Sequence, residues 1–444
     1  MSAKIMFVSL GCDKNLVDSE KMLAELIEAG FEVTDEPSEA EVCVINTCCF
    51  IHDAKQESID TIIETGELKQ KGRLRFLIIT GCLATRYDEE IKEALPEVDA
   101  ILSSSASDEL VSVIKKLYKG KLTEKSISKH IDREPEHTSK RLHNTLKNYA
   151  YLKIADGCSK HCTYCVIPSI KGAYRSFPME DILKEAEDAV KKGKNELILV
   201  AQETTIYGTD IYGKKSLPKL LSELNKIEGL ERIRLMYCYP EEIDDDLIES
   251  IKTLDKVCKY IDMPIQHISD DVLKRMGRKT TGKDIKNIIK KLRKEIPGIV
   301  IRTSLIAGFP GETEEEHLEL KEFLGKFKLE RVGVFTYSKE EGTPAAKMRP
   351  QVLKKVKEAW RKELMLTQQG IVFEANEKLK GKRFTVIVEG KLPQENVFVG
   401  RTYRDAPDID GYCFVSSERE LVLGEVIKVK IEKASGYDLI ASEV

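Results

Sequence analysis

The sequence predicts an α/β protein in three parts. These are an N-terminal doubly wound parallel sheet, a central open (β/α)6 partial barrel, and a small antiparallel β-barrel of oligonucleotide-binding shape at the C-terminus. Two observations carry this reading. Short apolar runs alternate with amphipathic helical stretches through residues 1–118 and again through residues 149–375, the pattern of parallel strands joined by helical crossovers. Residues 376–444 lose that alternation and break into short strands between Gly, Pro and Asp turns, as small barrels do. A chain of 444 residues also exceeds what a single core organises.

Taken in order, the first part has strand candidates at Lys4–Leu10, Glu41–Asn46, Arg75–Thr80 and Asp99–Leu102, with helical stretches at Ser19–Ala29 and Ile51–Gly66. Residues 119–148 hold eight Lys/Arg against four Asp/Glu and no strong apolar period. They read as a basic linker laid over the surface rather than as core. The central part shows six strands, Tyr149–Ala155, Glu196–Ala201, Arg232–Tyr237, Lys259–Met263, Ile299–Ile306 and Arg331–Tyr337. Six such units suit an open barrel rather than a closed eightfold one. One long charged helix is expected from Gln351 to about Lys380. Five short strands follow: Phe384–Glu389, Val397–Gly400, Tyr412–Val415, Glu425–Glu432 and Tyr437–Ser442.

Composition narrows the function. The net charge is −4, which argues against a strongly electrostatic nucleic-acid binder. No apolar run approaches the ~20 residues that cross a bilayer, and the N-terminus has no apolar secretory region. A cytoplasmic protein without membrane contact is expected. Eleven cysteines, an odd number in a reducing compartment, fit metal or iron–sulfur ligation better than disulfides.

Gly157-Cys158-Ser159-Lys160-His161-Cys162-Thr163-Tyr164-Cys165 contains C-x3-C-x2-C directly after the first strand of the central part. Three thiolates on one short loop can bind three irons of a 4Fe–4S cube and leave the fourth open. Zinc with His161 as fourth ligand is the alternative, but His161 is adjacent to Cys162, which suits joint chelation poorly. A second set is dispersed. Cys12, Cys48 and Cys82 each stand just past the carboxyl end of a predicted parallel strand, the edge where open α/β sheets place ligands. Buried structural thiols are the alternative there. Cys43 reads as core, Cys49 as a non-ligand, and Cys238, Cys258 and Cys413 as structural.

The C-x3-C-x2-C loop, with Tyr164 before its last cysteine, resembles the radical S-adenosylmethionine superfamily. The resemblance implies that Cys158, Cys162 and Cys165 hold a 4Fe–4S cluster that cleaves S-adenosylmethionine to a 5′-deoxyadenosyl radical. It places Gln202 and Glu203 near the cofactor's amino group. Gly308 and Gly311, in Ile306-Ala307-Gly308-Phe309-Pro310-Gly311-Glu312, fall on the adenine and ribose side. Arg302 is open to two roles: partner of the cofactor carboxylate, or of a structural acid.

With the second trio and the C-terminal β domain, the whole chain resembles a methylthiotransferase. Leu10-Gly11-Cys12-Asp13-Lys14-Asn15, Ala201-Gln202-Glu203-Thr204-Thr205, Pro264-Ile265-Gln266-His267 and Arg401-Thr402-Tyr403-Arg404-Asp405-Ala406-Pro407-Asp408 are similar to the branch that modifies a ribosomal protein. Asp13 and Cys49 depart from the residues common in that branch. The resemblance implies an auxiliary 4Fe–4S cluster on Cys12, Cys48 and Cys82. It also implies a second S-adenosylmethionine as methyl donor and an electron donor of the flavodoxin or ferredoxin kind. The implied substrate is an aspartate β-carbon on the twelfth protein of the small ribosomal subunit, and a monomer is expected. The sister branch, acting on an adenosine of tRNA through an RNA-binding TRAM domain, is the first rival. An electron-transfer or cluster-carrier protein is the second. Between protein and tRNA, charge favours protein. Residues 382–444 hold nine Lys/Arg and eleven Asp/Glu, and the acidic turn Asp405–Asp410 is expected to repel phosphate and attract a basic protein.

Overall fold

The computed structural model describes residues 3–72, 74–136, 141–143, 147–393 and 395–444. The first sheet is built from β1 (Lys4–Ser9), β2 (Glu32–Val33), β3 (Val42–Thr47), β4 (Phe76–Gly81), β5 (Ala100–Leu102) and β6 (Ser126–Ile127). Its spatial order is β2-β1-β3-β4-β5-β6, and every pairing is parallel. All six residues of β3 are buried, because helices cover both faces of a parallel sheet. The edge strands β2 and β6 are two residues each. They are too short to leave a periodic signal, so only the four inner strands are legible in the sequence.

The segment expected as a bare linker does more than connect. It supplies β6, and its Arg141 is buried in ion pairs with Glu20 and Glu185. Arg141 thus ties the first sheet's helix Asp13–Glu28 to the central domain's helix Met179–Lys191. Positions 137–140 and 144–146 of that segment lie outside the described residues.

The central sheet comprises β7 (Tyr149–Lys153), β8 (Glu196–Val200), β9 (Arg232–Leu235), β10 (Val257–Asp262), β11 (Val300–Ala307) and β12 (Arg331–Thr336). These are hydrogen-bonded in strict chain order and all parallel, the open (β/α)6 arrangement. Alternate residues divide the faces. Leu197, Leu199, Ile233, Leu235, Ile261 and Ile301 join the core beneath the helices. Tyr149, Ile198, Val200, Met236, Cys258, Tyr260 and Val300 line the inner face. Thr281 and Thr313 begin two of the helices with capping boxes closed by Asp284 and Glu316, each N-terminal threonine satisfying a free amide. The helix Lys354–Glu377 then leads out of the domain.

Strands β13 (Arg383–Lys391), β14 (Val397–Arg401), β15 (Cys413–Ser416), β16 (Val426–Ser435) and β17 (Asp438–Glu443) close a barrel in the order β13-β14-β15-β17-β16. Four pairings are antiparallel and one, β15 with β17, is parallel. That parallel pair closes the barrel, since β17 returns along β16 and lies beside β15 in the same direction.

The barrel docks onto the amino-terminal end of the central sheet, and charge holds it there. Arg401 pairs with Glu196 at 2.8 Å and Glu389 at 2.6 Å. Arg234 reaches the same Glu196 at 2.8 Å, and Arg232 donates to the Arg401 carbonyl at 2.8 Å. Burial raises the Glu196 carboxyl, but the three guanidiniums outweigh it and hold the group at about 2.

The acidic turn is part of this plug. Asp405 pairs with Arg331, and Asp408 accepts from Lys147 at 2.8 Å and from Tyr149 at 2.6 Å. Asp410 accepts from Tyr260 at 2.7 Å, with the Arg302 and Arg331 guanidiniums 3.9 and 3.8 Å away. Ala406 packs into the inner-face cluster. The sequence reading, which offers these carboxylates to a basic partner, is therefore corrected. Asp405 and Asp410 are buried among partners of the chain itself, and the half-exposed Asp408 is paired with Lys147, so most of the turn's charge is compensated internally.

Candidate active site

The dispersed trio is brought together by the loops that follow β1, β3 and β4. Gly11 (φ +90°) lies so close to the second loop that a Cβ there would stand 2.5 Å from the Cys48 Cβ and 2.8 Å from its sulfur. Cys48 is locked by Ser58, whose hydroxyl accepts from the Cys48 amide at 3.0 Å and donates to its carbonyl at 2.9 Å. Cys82 opens the short helix Cys82–Arg86 directly after Gly81.

Asn15 is the common tie, and the sequence reading gives it no role. Its amide donates to the Leu10 carbonyl at 2.9 Å and the Thr47 carbonyl at 3.0 Å. Its Oδ1 stands 4.0 Å from the Cys82 sulfur. One side chain therefore touches all three cysteine loops. Burial pushes the Cys82 and Cys48 thiols up, and each is raised further by its neighbours in the trio. Cys12 remains exposed. Cys49 packs in the core with Ile45, Ile79 and Val166, and Cys43 is buried within β3.

The second trio follows β7. Cys158 and Cys162 are buried and Cys165 is half-buried. Burial pushes the Cys158 thiol to about 11 and that of Cys165 to about 12. Backbone amides already point at two of the sulfurs, Lys160 at Cys158 (3.4 Å) and Ile167 at Cys165 (3.5 Å). Gly157 (φ +71°) is required, since a Cβ there would meet the Ala173 carbonyl oxygen at 2.1 Å.

A four-charge network fastens one trio to the other. Lys153 pairs with Asp18 and Asp156 at 2.8 Å each, and Lys171 with Asp18 at 3.1 Å and Asp156 at 3.8 Å. Asp18 lies on the helix that begins after Cys12, and Asp156 accepts from the Gly157 amide at 2.9 Å. Tyr237, just past β9, makes a second junction. Its hydroxyl donates to Asp13 at 3.2 Å, and the Lys14 ammonium sits 3.5 Å from its ring centroid. It adopts φ 58°, a costly conformation for a tyrosine, with its amide donating to Asp262 at 3.0 Å. No sequence signal marks such a backbone.

The five residues assigned to cofactor binding divide. Gln202 and Glu203 follow β8, with Glu203 beside Cys158. Gln202 donates to Asp156 at 3.0 Å, while its own Oε1 and the Glu203 Oε2 are buried with no hydrogen-bond partner. Burial raises Glu203 to about 7, against the pull of Lys160. Arg302 is engaged by Asp262 at 2.6 Å, so of its two readings the structure supplies the structural acid. Gly308 (φ +75°) makes room for Lys357, which a Cβ would meet at 2.2 Å, and Gly311 (φ +77°) has Arg275 as its neighbour at 3.5 Å. The Arg275 distance is ordinary contact, so of the two only Gly308 is pressed by a neighbouring side chain. Beside them His267 and Glu312 form a fully buried pair at 3.3 Å. The Ser269 amide donates to Nδ1 of that histidine at 3.1 Å, so a neutral imidazole carries its proton on Nε2, toward Glu312.

The donor sets fit iron–sulfur clusters and a zwitterionic cofactor. Each trio offers three sulfurs, the donor type that iron–sulfur clusters take. Among the described residues no three His, Cys, Asp or Glu side chains converge on a single-ion position. The orphaned Gln202 and Glu203 oxygens are acceptors of the kind an ammonium group satisfies.

The comparisons with known proteins bear on the family and fold. The radical SAM superfamily matches residues 152–324, the Uncharacterized protein family UPF0004 residues 4–103, and the TRAM domain residues 381–444. The ribosomal protein uS12 methylthiotransferase RimO of Lachnoclostridium phytofermentans is 56% identical over 99% of both chains. This chain belongs to the RimO ribosomal protein uS12 methylthiotransferase family. RimO of Clostridium botulinum strain Hall is 50% identical over 98% of this chain and 97% of that one. RimO of Acetivibrio thermocellus is 48% identical over 100% and 99%.

Among solved structures, the radical S-adenosylmethionine methyltransferase TsrM of Kitasatospora setae superposes with a TM-score of 0.57 at 14% identity, covering 78% of this chain and 77% of that one. The cobalamin-dependent radical enzyme OxsB gives 0.54 at 13% identity, covering 84% and 56%. Both likenesses concern the fold. RimO family membership accounts for the three parts of the chain in one order, and no helix among the described residues is long and apolar enough to cross a membrane.

Proposed function

We propose that this chain methylthiolates the β-carbon of an aspartate on small-subunit ribosomal protein uS12, using two 4Fe–4S clusters and S-adenosylmethionine. The observation that carries the reading is the pair of cysteine trios. They sit at the carboxyl edges of two parallel sheets and are fastened to one another through Asp18, Lys153, Lys171 and Tyr237. The chain is also 56% identical throughout to a relative that bears this activity in its name. Cys158, Cys162 and Cys165 would hold the cofactor-cleaving cluster, and Cys12, Cys48 and Cys82 the auxiliary one. When bound, these groups supply one-electron chemistry able to break an unactivated C–H bond, which acid–base catalysis leaves intact.

The protein's own residues do the rest. Gln202 and Glu203 offer unpaired oxygens to the cofactor's ammonium. The Asp18–Lys153–Asp156–Lys171 network fixes the spacing of the two loops. Tyr237 holds the Cys12 loop over the carboxyl end of β9. The cytoplasm, where ribosomal proteins are made, is the proposed setting. A flavodoxin or ferredoxin is the proposed electron donor, and the single chain is the proposed working unit.

Anaerobically reconstituted protein, incubated with uS12, S-adenosylmethionine and a strong reductant, is expected to replace one hydrogen of uS12 by a methylthio group, read by mass spectrometry. Modification of tRNA in place of uS12 would overturn the substrate assignment. Alanine at Cys158, Cys162 and Cys165 is expected to abolish 5′-deoxyadenosine formation. Alanine at Cys12, Cys48 and Cys82 is expected to spare it while stopping sulfur transfer. Deoxyadenosine formation that survives the first triple change would refute that assignment.

A further inference from the structure

We propose that Arg278 is a reactant-binding residue: it holds a carboxylate of a bound reactant beside the Cys158–Cys165 loop. The inference rests on the function proposed above and adds a residue that neither motif nor spacing marks.

Arg278 is only 7% exposed. Its guanidinium lies 4.4 Å from the centroid of the Tyr239 ring. One nitrogen, Nη2, donates to the Pro264 carbonyl at 3.0 Å, while Nε is buried without an acceptor. A second cation, Lys160, approaches the same ring at 5.2 Å, and the contrast between the two is informative. Lys160 has three carboxylates within reach, Glu242 at 2.6 Å, Glu241 at 3.6 Å and Glu203 at 3.7 Å. The other cations of this junction are likewise matched, Arg302 by Asp262 and Lys14 by Asp13. For Arg278 no carboxylate lies within ion-pair distance among the described residues.

Its position is fixed by the cluster loop itself. The Thr163 amide donates to the Met276 carbonyl at 2.9 Å, and a Cβ on Gly277 would stand 3.0 Å from the His161 carbonyl oxygen. Tyr164, Tyr239 and Cys162 are its strongest electrostatic neighbours, and the one carboxylate that acts on it, Glu241, does so from beyond ion-pair distance. A guanidinium keeps its proton at any physiological pH, so burying it with no carboxylate in contact is costly. The planar fork of donors matches a carboxylate in two-point contact. The reaction brings two carboxylates to this end of the sheet, the α-carboxylate of S-adenosylmethionine and the side chain of the target aspartate. Either satisfies the same chemistry.

The test uses reconstituted full-length protein and two ligand pairs. The first is S-adenosylmethionine against 5′-methylthioadenosine, which lacks the amino-acid tail. The second is a uS12 peptide carrying the target aspartate against the same peptide with asparagine. In Arg278→Gln, the carboxylate-bearing member of one pair is expected to weaken by about tenfold or more, the size of a lost charge-assisted hydrogen bond. Its carboxylate-free counterpart should stay within about twofold, because that ligand makes no such bond. The pair that responds identifies the carboxylate.

Arg278→Lys, which keeps the charge but not the fork, should recover part of the loss, and it carries the comparison if the glutamine variant fails to load iron. Equal weakening within both pairs, or none in either, would overturn the proposal. So would a change confined to the reduction potential of the cluster, which would make Arg278 a charge compensator for the thiolates. The cofactor pair is measured without uS12, so a failure of the substrate assignment is read separately.

Discussion

Replacing Asn15 by alanine is expected to dismantle the auxiliary cysteine site while leaving the other trio intact. The Asn15 side chain is buried, and its amide donates to the Leu10 and Thr47 carbonyls at 2.9 and 3.0 Å. A net hydrogen bond contributes about 1 kcal/mol, and a buried acceptor left without a donor costs about 1–3 kcal/mol. Two acceptors lose their donor here, so the change should cost the first domain roughly 2–4 kcal/mol. In a domain of this size that lowers the melting midpoint by about 10 °C.

The consequence for metal loading is geometric. The Asn15 side chain touches the loops of Cys12, Cys48 and Cys82 together, so without it the three sulfurs lose a shared reference. Iron and sulfide analysis after anaerobic reconstitution should fall from about eight irons per chain to about four, one cube of the two. Asn15→Asp should be at least as damaging, because a carboxylate would face two carbonyls where an amide donates. An Asn15→Ala protein that keeps about eight irons and an unchanged melting curve would refute this account of the site. Loss of both clusters in equal measure would refute it too.

Further outcomes follow from other positions. Gly81→Ala should remove auxiliary iron with little effect on S-adenosylmethionine cleavage. At φ +92° its Cβ would meet Asn46 Oδ1 at 2.3 Å and the Thr47 carbonyl at 2.5 Å, and iron content separates it from a harmless change. Glu196 makes barrel docking pH-dependent. Burial opposes its charge, but Arg401, Arg234 and Arg232 hold the folded carboxyl at about 2, below its ordinary value. Its stabilisation is therefore complete above that ordinary value and drains away as pH falls toward about 2. Limited acid proteolysis should release the C-terminal barrel earlier in Glu196→Gln than in the unchanged chain. Asp408→Asn removes one compensated carboxylate of the interdomain turn, paired with Lys147 and Tyr149. It should leave the salt dependence of uS12 binding unchanged; a steep change would restore the acidic turn to a partner-binding role.

Much of the architecture is written locally, and so could be read without coordinates. Apolar alternation marks the four inner strands of the first sheet and all six of the second. The C-x3-C-x2-C spacing marks Cys158, Cys162 and Cys165 because its ligands share one loop. The position of Cys12, Cys48 and Cys82 past strand ends is visible for the same reason, since strand ends are local features. Partners distant in the chain are not visible in this way. Only packing decides that Asn15 spans three loops, that Arg302 meets Asp262, or that Gly308 clears space for Lys357.

The acidic turn shows the distinction most sharply. Its charge is a property of the sequence, but the direction in which that charge acts belongs to the fold. Asp405, Asp408 and Asp410 face Arg331, Lys147, Tyr149 and Tyr260, residues outside their own domain. The sequence by itself determined which chemistry-bearing residues exist and which strand end each one follows, because periodicity and spacing are short-range. Tertiary structure alone decided which charges compensate one another and which, like Arg278, have no carboxylate in contact among the described residues. In a low-dielectric interior an ion's partner is whatever folding brings within a few ångströms.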